Sequence, residues 1–209
     1  MSKKKIIKIC LVVLILIILI FLIDLGRKTY ILNKYSSKCD EYLEVTNFYV
    51  KKAQEEGVTS ELWRKDNLAF LKMTLDDATR MIHFGEDYNW IIIDSKDGKT
   101  AVKMAKEGGG AEIQTFVSGT LSLENLWDTI VIAFSSKITT EKINDIDCYK
   151  IFIKEDWQMF ISKKDFLLIR EINGSTDTGI IEYEFNNVKD EEVTMPNLAG
   201  YTINDTTQK

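Results

Sequence analysis

Apolar residues are concentrated at the start of the chain more than anywhere else along it. An uninterrupted apolar run extends from Ile9 to Ile23, and the 20-residue stretch from Ile6 to Leu25 is broken only by Lys8 and Asp24. In a helix with a rise of about 1.5 Å per residue, this stretch covers the roughly 30 Å hydrocarbon core of a bilayer. The pattern predicts a transmembrane helix within residues 1–26.

The region that follows is less regular. Residues 27–36 are predicted to form a juxtamembrane stalk between the span and the domain. From Ser37 to Lys52, the apolar residues Tyr42, Val45 and Tyr49 fit helical spacing. This spacing predicts a helix at the start of the domain.

After Gly57 the pattern is mostly extended, as in β-strands. Two apolar runs flank the sequence SKDGKT. Asp97 and Gly98 in it supply the positive φ angles of a tight turn, so the runs predict a β-hairpin. The glycine-rich stretch 107–112 predicts a mobile connection, and it lacks the Gly-Lys-Ser/Thr sequence of a phosphate-binding loop.

A helical period follows in TLSLENLWDTIVIAF, where six apolar residues fall on one helical face. They are Leu123, Leu126, Trp127, Ile130, Val131 and Phe134. Ser122 is predicted to cap this helix, and Glu124 to complement its dipole. The apolar face either packs on a sheet as part of the core or lines a lipid cavity.

Alternation returns in the last third of the chain. Tyr149–Ile153 and Ile181–Phe185 alternate, and the stretch Trp157–Ile172 is predicted to fold back at Lys163–Asp165. Short connections favour pairing between neighbouring strands. Pro196, the only proline, is predicted to end the last strand because it has no N–H for the ladder.

Together these elements predict an α+β fold. A curved antiparallel sheet carries helices on its concave face, in one extracytoplasmic domain over residues 37–203. Residues 204–209 are predicted to form a disordered tail. The size suits a single domain with its own core.

Charge predicts the orientation of the span. Four lysines precede it within eight residues, and basic residues tend to remain in the cytoplasm. Arg27 and Lys28 beyond the span weaken this bias without reversing it. Beyond residue 26 the chain carries 23 basic and 31 acidic residues, a net charge of −8, which argues against a nucleic-acid partner.

The alternative to an anchor is a cleaved secretory signal, which ends in small residues. Here the apolar run ends in Ile23, Asp24 and Leu25, and Cys10 lies at its start rather than after it as in a lipoprotein signal. The sequence favours an uncleaved single-pass anchor in the cell membrane, with a short cytoplasmic N-terminus.

A series of motifs follows in the C-terminal region. They comprise Trp157, Lys163, Asp165, Leu167 and Leu168, then Tyr183, Phe185, Asn187 and Val188, and finally Pro196, Leu198 and Tyr201. In this order they resemble the C-terminal half of the LolA-like superfamily of bacterial lipoprotein carriers. The resemblance implies a half-open barrel whose interior can hold acyl chains or a lipid anchor, although relatives also use this shape for sensing or protein contact.

Two functions are therefore predicted. The first is a non-enzymatic, membrane-anchored domain that binds a lipid, acyl chain or lipoprotein in a LolA-like cavity, with the six-residue helical face as its lining. The alternative is a protein-interaction or envelope-stress sensing module with a packed core and no ligand. Since the predicted cytoplasmic part is so short, a signal would have to pass through a membrane protein partner.

No residue pattern indicates an enzyme, a cofactor or a metal site. His83, the only histidine, lies among apolar residues and is predicted to be a satisfied or surface strand residue rather than a base. One histidine and three cysteines do not form the usual zinc patterns. Cys39 and Cys148 lie outside the span, and they either form a disulfide or remain free as small buried side chains.

Overall fold

The chain begins with one long helix, α1 (Lys3–Glu44). It is seen in a computed structural model that describes residues 3–53, 57–106, 116, 119, 121, 123 and 125–207. The apolar side chains from Ile6 to Ile23 are exposed, and by length and composition this helix can cross a membrane. It then continues without a break into the domain.

The described strands form two sheets. They are β1 (Asn47–Ala53), β2 (Thr59–Lys65), β3 (Leu68–Thr74), β4 (Ala78–Phe84), β5 (Tyr88–Ser95), β6 (Gly98–Ala105), β7 (Lys137–Ile143), β8 (Ile146–Lys154), β9 (Trp157–Ser162), β10 (Leu168–Asn173), β11 (Thr176–Asp177), β12 (Ile180–Phe185) and β13 (Thr202–Asp205). Eight strands pair in the order β12-β1-β2-β3-β4-β5-β6-β13, and five in the order β11-β10-β9-β8-β7.

Neighbouring strands in both sheets are antiparallel, except that β13 runs parallel to β6. The sheets are curved and no closed barrel forms among the described strands, which confirms the predicted α+β fold class. The predicted hairpin is also confirmed, since β5 and β6 pair up to Ser95 and Gly98. Of the two residues predicted to have a positive φ angle, only Gly98 has one. The chain turns back between β9 and β10 at the predicted position, Lys163–Asp165.

The predicted helix from Ser37 to Lys52 is correct only as far as Glu44. Beyond it, Asn47–Ala53 is strand β1, in which Phe48, Val50 and Lys52 are buried in alternation. Because the charged residue Lys52 occupies an inward position, the sequence of this strand lacks a regular alternation of apolar and polar residues. Arg64 of β2 donates a hydrogen bond to the Leu43 carbonyl at 2.8 Å, which satisfies one of the unpaired carbonyls at the end of α1.

The prediction of a stalk over residues 27–36 is wrong, because this part of α1 belongs to the main core. Ile31, Leu32 and Tyr35 are buried there with side chains from both sheets, including Val50, Leu62, Ile151 and Met159. Helix and sheets thus share one core, and the domain begins directly where the exposed apolar part of α1 ends.

The C-terminal segment crosses the large sheet from one edge to the other. Strand β12 ends at Phe185, so Pro196 does not end it as predicted. A short helix, α3 (Asp190–Val193), follows, and the chain then reaches β6, where β13 adds as a parallel edge strand. Asn204 and Asp205, predicted to be disordered, belong to this strand.

We predict that Leu32→Ala will lower the free energy of unfolding by about 2–5 kcal/mol, because it removes a core side chain that is 0% exposed. Tyr30 on the same helix is 62% exposed, so Tyr30→Ala is the matched control, expected to change stability by about 0.5 kcal/mol or less. Urea denaturation of the full chain in detergent measures both. Equal small effects would show that residues 27–36 are a stalk after all.

Candidate lipid-contacting surfaces

The predicted amphipathic helix is present as α2 (Leu126–Ser135). Its N-cap is Asn125, whose side chain accepts a hydrogen bond from the Asp128 backbone N–H at 3.0 Å. Ser122 is therefore not the cap of this helix. Ser122 and Glu124 themselves lie outside the described residues, as does the glycine-rich stretch 107–112.

Four of the six residues on its apolar face point outward. Leu126 is 61% exposed, Trp127 70%, Val131 48% and Phe134 67%; we call these four the α2 apolar stripe. Leu123 packs partly against the core, and Ile130 is half-buried. Because these four residues are exposed, the prediction of a core face is wrong for them, and they do not line either of the grooves described below.

Small residues occupy the buried side of α2. Thr129 and Ala133 are buried, one helical turn apart, and Ala133 belongs to the main core. Small side chains let helices approach closely, and α2 packs against α1. The larger apolar residues are left on the outer side.

Side chains of α1 hold the end of α2 beside the predicted membrane boundary. The rings of Phe21 and Phe134 meet edge to face, with centroids 5.8 Å apart. Lys28 Nζ donates to the Ser136 carbonyl at 2.9 Å, and Arg27 donates to the Ile138 carbonyl at 3.3 Å. Phe21 lies within the exposed apolar run of α1, so the α2 apolar stripe is continuous with that run.

A separate groove lies on the face of the large sheet that packs against α1. Leu71, a core residue, pairs with Ile82, which pairs with Ile91; cross-strand partners share a face. The groove has a volume of about 520 Å³, within the range of small-molecule sites. We call it the inner-face groove. It is lined by Arg80, Ile82, Phe84, Asn89, Ile91, Met104, Ala105 and Thr206.

A larger groove, of about 880 Å³, lies between the turns of the small sheet and β12. Its walls include Ile146, Leu167 and Ile169, but they also carry six charged residues of both signs. These are Asp145, Asp147, Lys163, Lys164, Asp165 and Glu182. The inner-face groove, which has Arg80 as its single charged lining residue, suits an apolar ligand better because fewer charges would lose water.

A buried charged pair lies in the core. Lys52 is 8% exposed and Glu171 is 3% exposed. Trp157 Nε1 donates to Glu171 Oε1 at 2.9 Å, and Lys52 Nζ lies 4.5 Å from the ring centre of Phe116. Burial lowers the pKa of Lys52 to about 8, partly opposed by the charge of Glu171. The backbone of Gly119 lies close to the Glu171 carboxylate, because a Cβ at this position would be 2.7 Å from Glu171 Oε2.

The remaining candidate residues, His83, Cys39 and Cys148, are buried inside the domain. His83 is buried, and its Nε2 donates to the Val193 carbonyl at 3.0 Å; burial lowers its pKa. Cys39 and Cys148 are both free and buried, so the disulfide alternative is wrong. Cys39 lies in the main core, whereas Cys148 lies in a small cluster with Phe160 and Ile169.

Among the described residues, His, Cys, Asp and Glu side chains form no cluster of three or more that could hold a metal ion.

No protein-family model matches the chain, and no curated protein is detectably similar to it by sequence. An uncharacterized conserved protein from Thermus thermophilus is structurally similar, with a TM-score of 0.48 and 8% identity over 84% of this chain and 97% of that one. PNGF-II aligns with a TM-score of 0.28 and 10% identity over 76% of this chain, which spans only 31% of PNGF-II.

The lowered pKa of Lys52 predicts a pH-dependent stability. Because the unfolded lysine keeps its ordinary pKa of 10.5, the unfolded chain binds more protons above pH 8, and the contribution of Lys52 to stability rises with pH. Relative to Lys52→Met, the wild type should gain about 1 kcal/mol between pH 8 and 9.

Urea denaturation of both chains at the two pH values measures this gain. Comparing two chains cancels the opposite contribution of Cys39, whose pKa burial raises to about 11. Lys51→Met removes a lysine from the other face of β1 and is the matched control. A wild-type advantage over Lys52→Met that stays constant from pH 8 to 9 would contradict the assigned pKa shift.

Proposed function

We propose that this protein is a single-pass membrane protein whose extracytoplasmic domain binds the acyl chain of a lipid or lipoprotein in the inner-face groove, without catalysing a reaction. The observation that carries this proposal is the lining of the groove. Ile82, Phe84, Ile91 and Met104 form an apolar floor, and Arg80 offers one positive charge to an acidic headgroup.

The lysines before the span support the proposed orientation. Four lysines precede it within eight residues, whereas Arg27 and Lys28 are the basic residues directly after it. Since the cytoplasmic flank carries the excess of Lys and Arg, this difference favours an N-terminus in the cytoplasm and a domain outside it.

The resemblance to LolA-like carriers remains part of the proposal. A curved, open sheet with an apolar inner face is consistent with it. Since α1 is part of the core, a domain with this anchor would receive, sense or pass on lipid at one membrane rather than carry it between two.

A photoreactive fatty acid tests the proposed ligand site. The full chain, purified in detergent, is irradiated with a diazirine-bearing fatty acid, and the labelled peptides are located by mass spectrometry. We expect labelling in β4–β6, which span Ala78–Ala105. Native mass spectrometry of the same sample should show a bound lipid that organic extraction removes.

One pair of variants makes this test specific. Ile91→Glu places a carboxylate in the groove and should reduce labelling of β4–β6 about tenfold or more. Ile203 of β13 is exposed, pairs with Ala101 and is not a lining residue, so Ile203→Glu should label like the wild type. Labelling confined to α1 and α2, together with a lipid-free mass, would favour an interaction module without a ligand.

A further inference from the structure

We propose that the α2 apolar stripe is inserted into the outer leaflet of the same bilayer that α1 crosses, giving the domain a second membrane contact. The proposal rests on the anchoring role of α1 proposed above. It concerns a different surface from the inner-face groove.

The stripe has the geometry of a binding face. Trp127, Val131 and Phe134 follow one another at steps of four and three residues, so they form one line along the helix. Each of them is about half-exposed or more. Domains in water rarely leave large adjoining apolar side chains uncovered without a partner.

The position of the stripe identifies that partner as lipid. Phe134 contacts Phe21, and Phe21 lies two residues before Ile23, the last residue of the apolar run. Ser136 accepts a hydrogen bond from Lys28. Phe21 and Lys28 are seven residues apart, or about 10 Å along α1, so the end of α2 spans the boundary between the apolar and charged parts of α1.

Within the stripe, Phe134 lies nearest the hydrocarbon and Trp127 nearest the headgroups, because Ser36, about 20 Å beyond Ile23 along α1, donates a hydrogen bond to the Leu123 carbonyl ahead of α2. Tryptophan and tyrosine are enriched at the headgroup level, and Trp127 is the most exposed residue of the stripe. Asp128 is the only charged residue of α2. With a net charge of −8 beyond residue 26, the domain is not drawn to an anionic surface as a whole, so apolar insertion is the interaction available to it.

Quenching of tryptophan fluorescence by spin-labelled lipids tests the proposal. The full chain is placed in phosphatidylcholine–phosphatidylglycerol nanodiscs, with and without lipids labelled near the headgroup. Trp127→Phe should lose most of the lipid-dependent quenching, because we expect Trp127 to be the tryptophan in lipid. Trp90 lies on strand β5 of the large sheet rather than on α2, and Trp90→Phe should retain the quenching.

A further variant tests the stripe as a unit. Val131→Asp places a charge beside Trp127 and should reduce quenching about threefold or more. Co-elution of the chain with nanodiscs reports separately on α1. Co-elution without Trp127-dependent quenching overturns the insertion of α2 but leaves the anchor intact. If the chain does not co-elute, both the anchor and the insertion of α2 are overturned. If the protection of Trp127 fluorescence from quenching varies with protein concentration, the lipid contact is overturned in favour of a contact between proteins.

Discussion

The continuity of α1 is the constraint on which the rest of the structure depends. A helix of 42 residues is about 63 Å long, and its two halves have different surroundings. The first half contains the exposed apolar run from Ile9 to Ile23, whereas Ile31, Leu32 and Tyr35 in the second are buried in the domain core. A break between them would expose the backbone groups of a helix and separate core residues from their partners. The domain therefore has a fixed orientation relative to the apolar half.

This constraint also determines where α2 lies. Thr129 and Ala133 are buried, and α2 packs against α1 beside Phe21 and Lys28. With small residues on the inside, the large apolar residues remain outside, next to the exposed half of α1. The anchor, the core helix and the apolar stripe thus form one continuous unit, and each fixes the position of the next.

Much of the fold could be predicted from the sequence, because alternation and turn residues are local signals. The strands that follow Gly57 and the hairpin that includes Asp97 and Gly98 are examples. Strand β1 could not be predicted, because the charged Lys52 faces inward. The charge of Glu171, which favours the protonated lysine, comes from a strand that is distant in the sequence. Strand β13 has no buried residue, so its sequence carries no alternation to detect. Cys39 and Cys148 lie in separate clusters, a separation that spacing along the chain does not encode.

The candidate site shows a more general limit of sequence patterns. The period in α2 identifies an apolar face correctly, but it does not specify what covers that face. In a soluble domain the answer would be a sheet, and the prediction of a core or cavity face assumed one. Beside a helix that can cross a membrane, hydrocarbon is a second apolar environment, and the free energy gained by burial there has the same origin. We propose hydrocarbon as the cover of α2, because Phe134 contacts Phe21 in a part of α1 that the described residues of the protein leave uncovered.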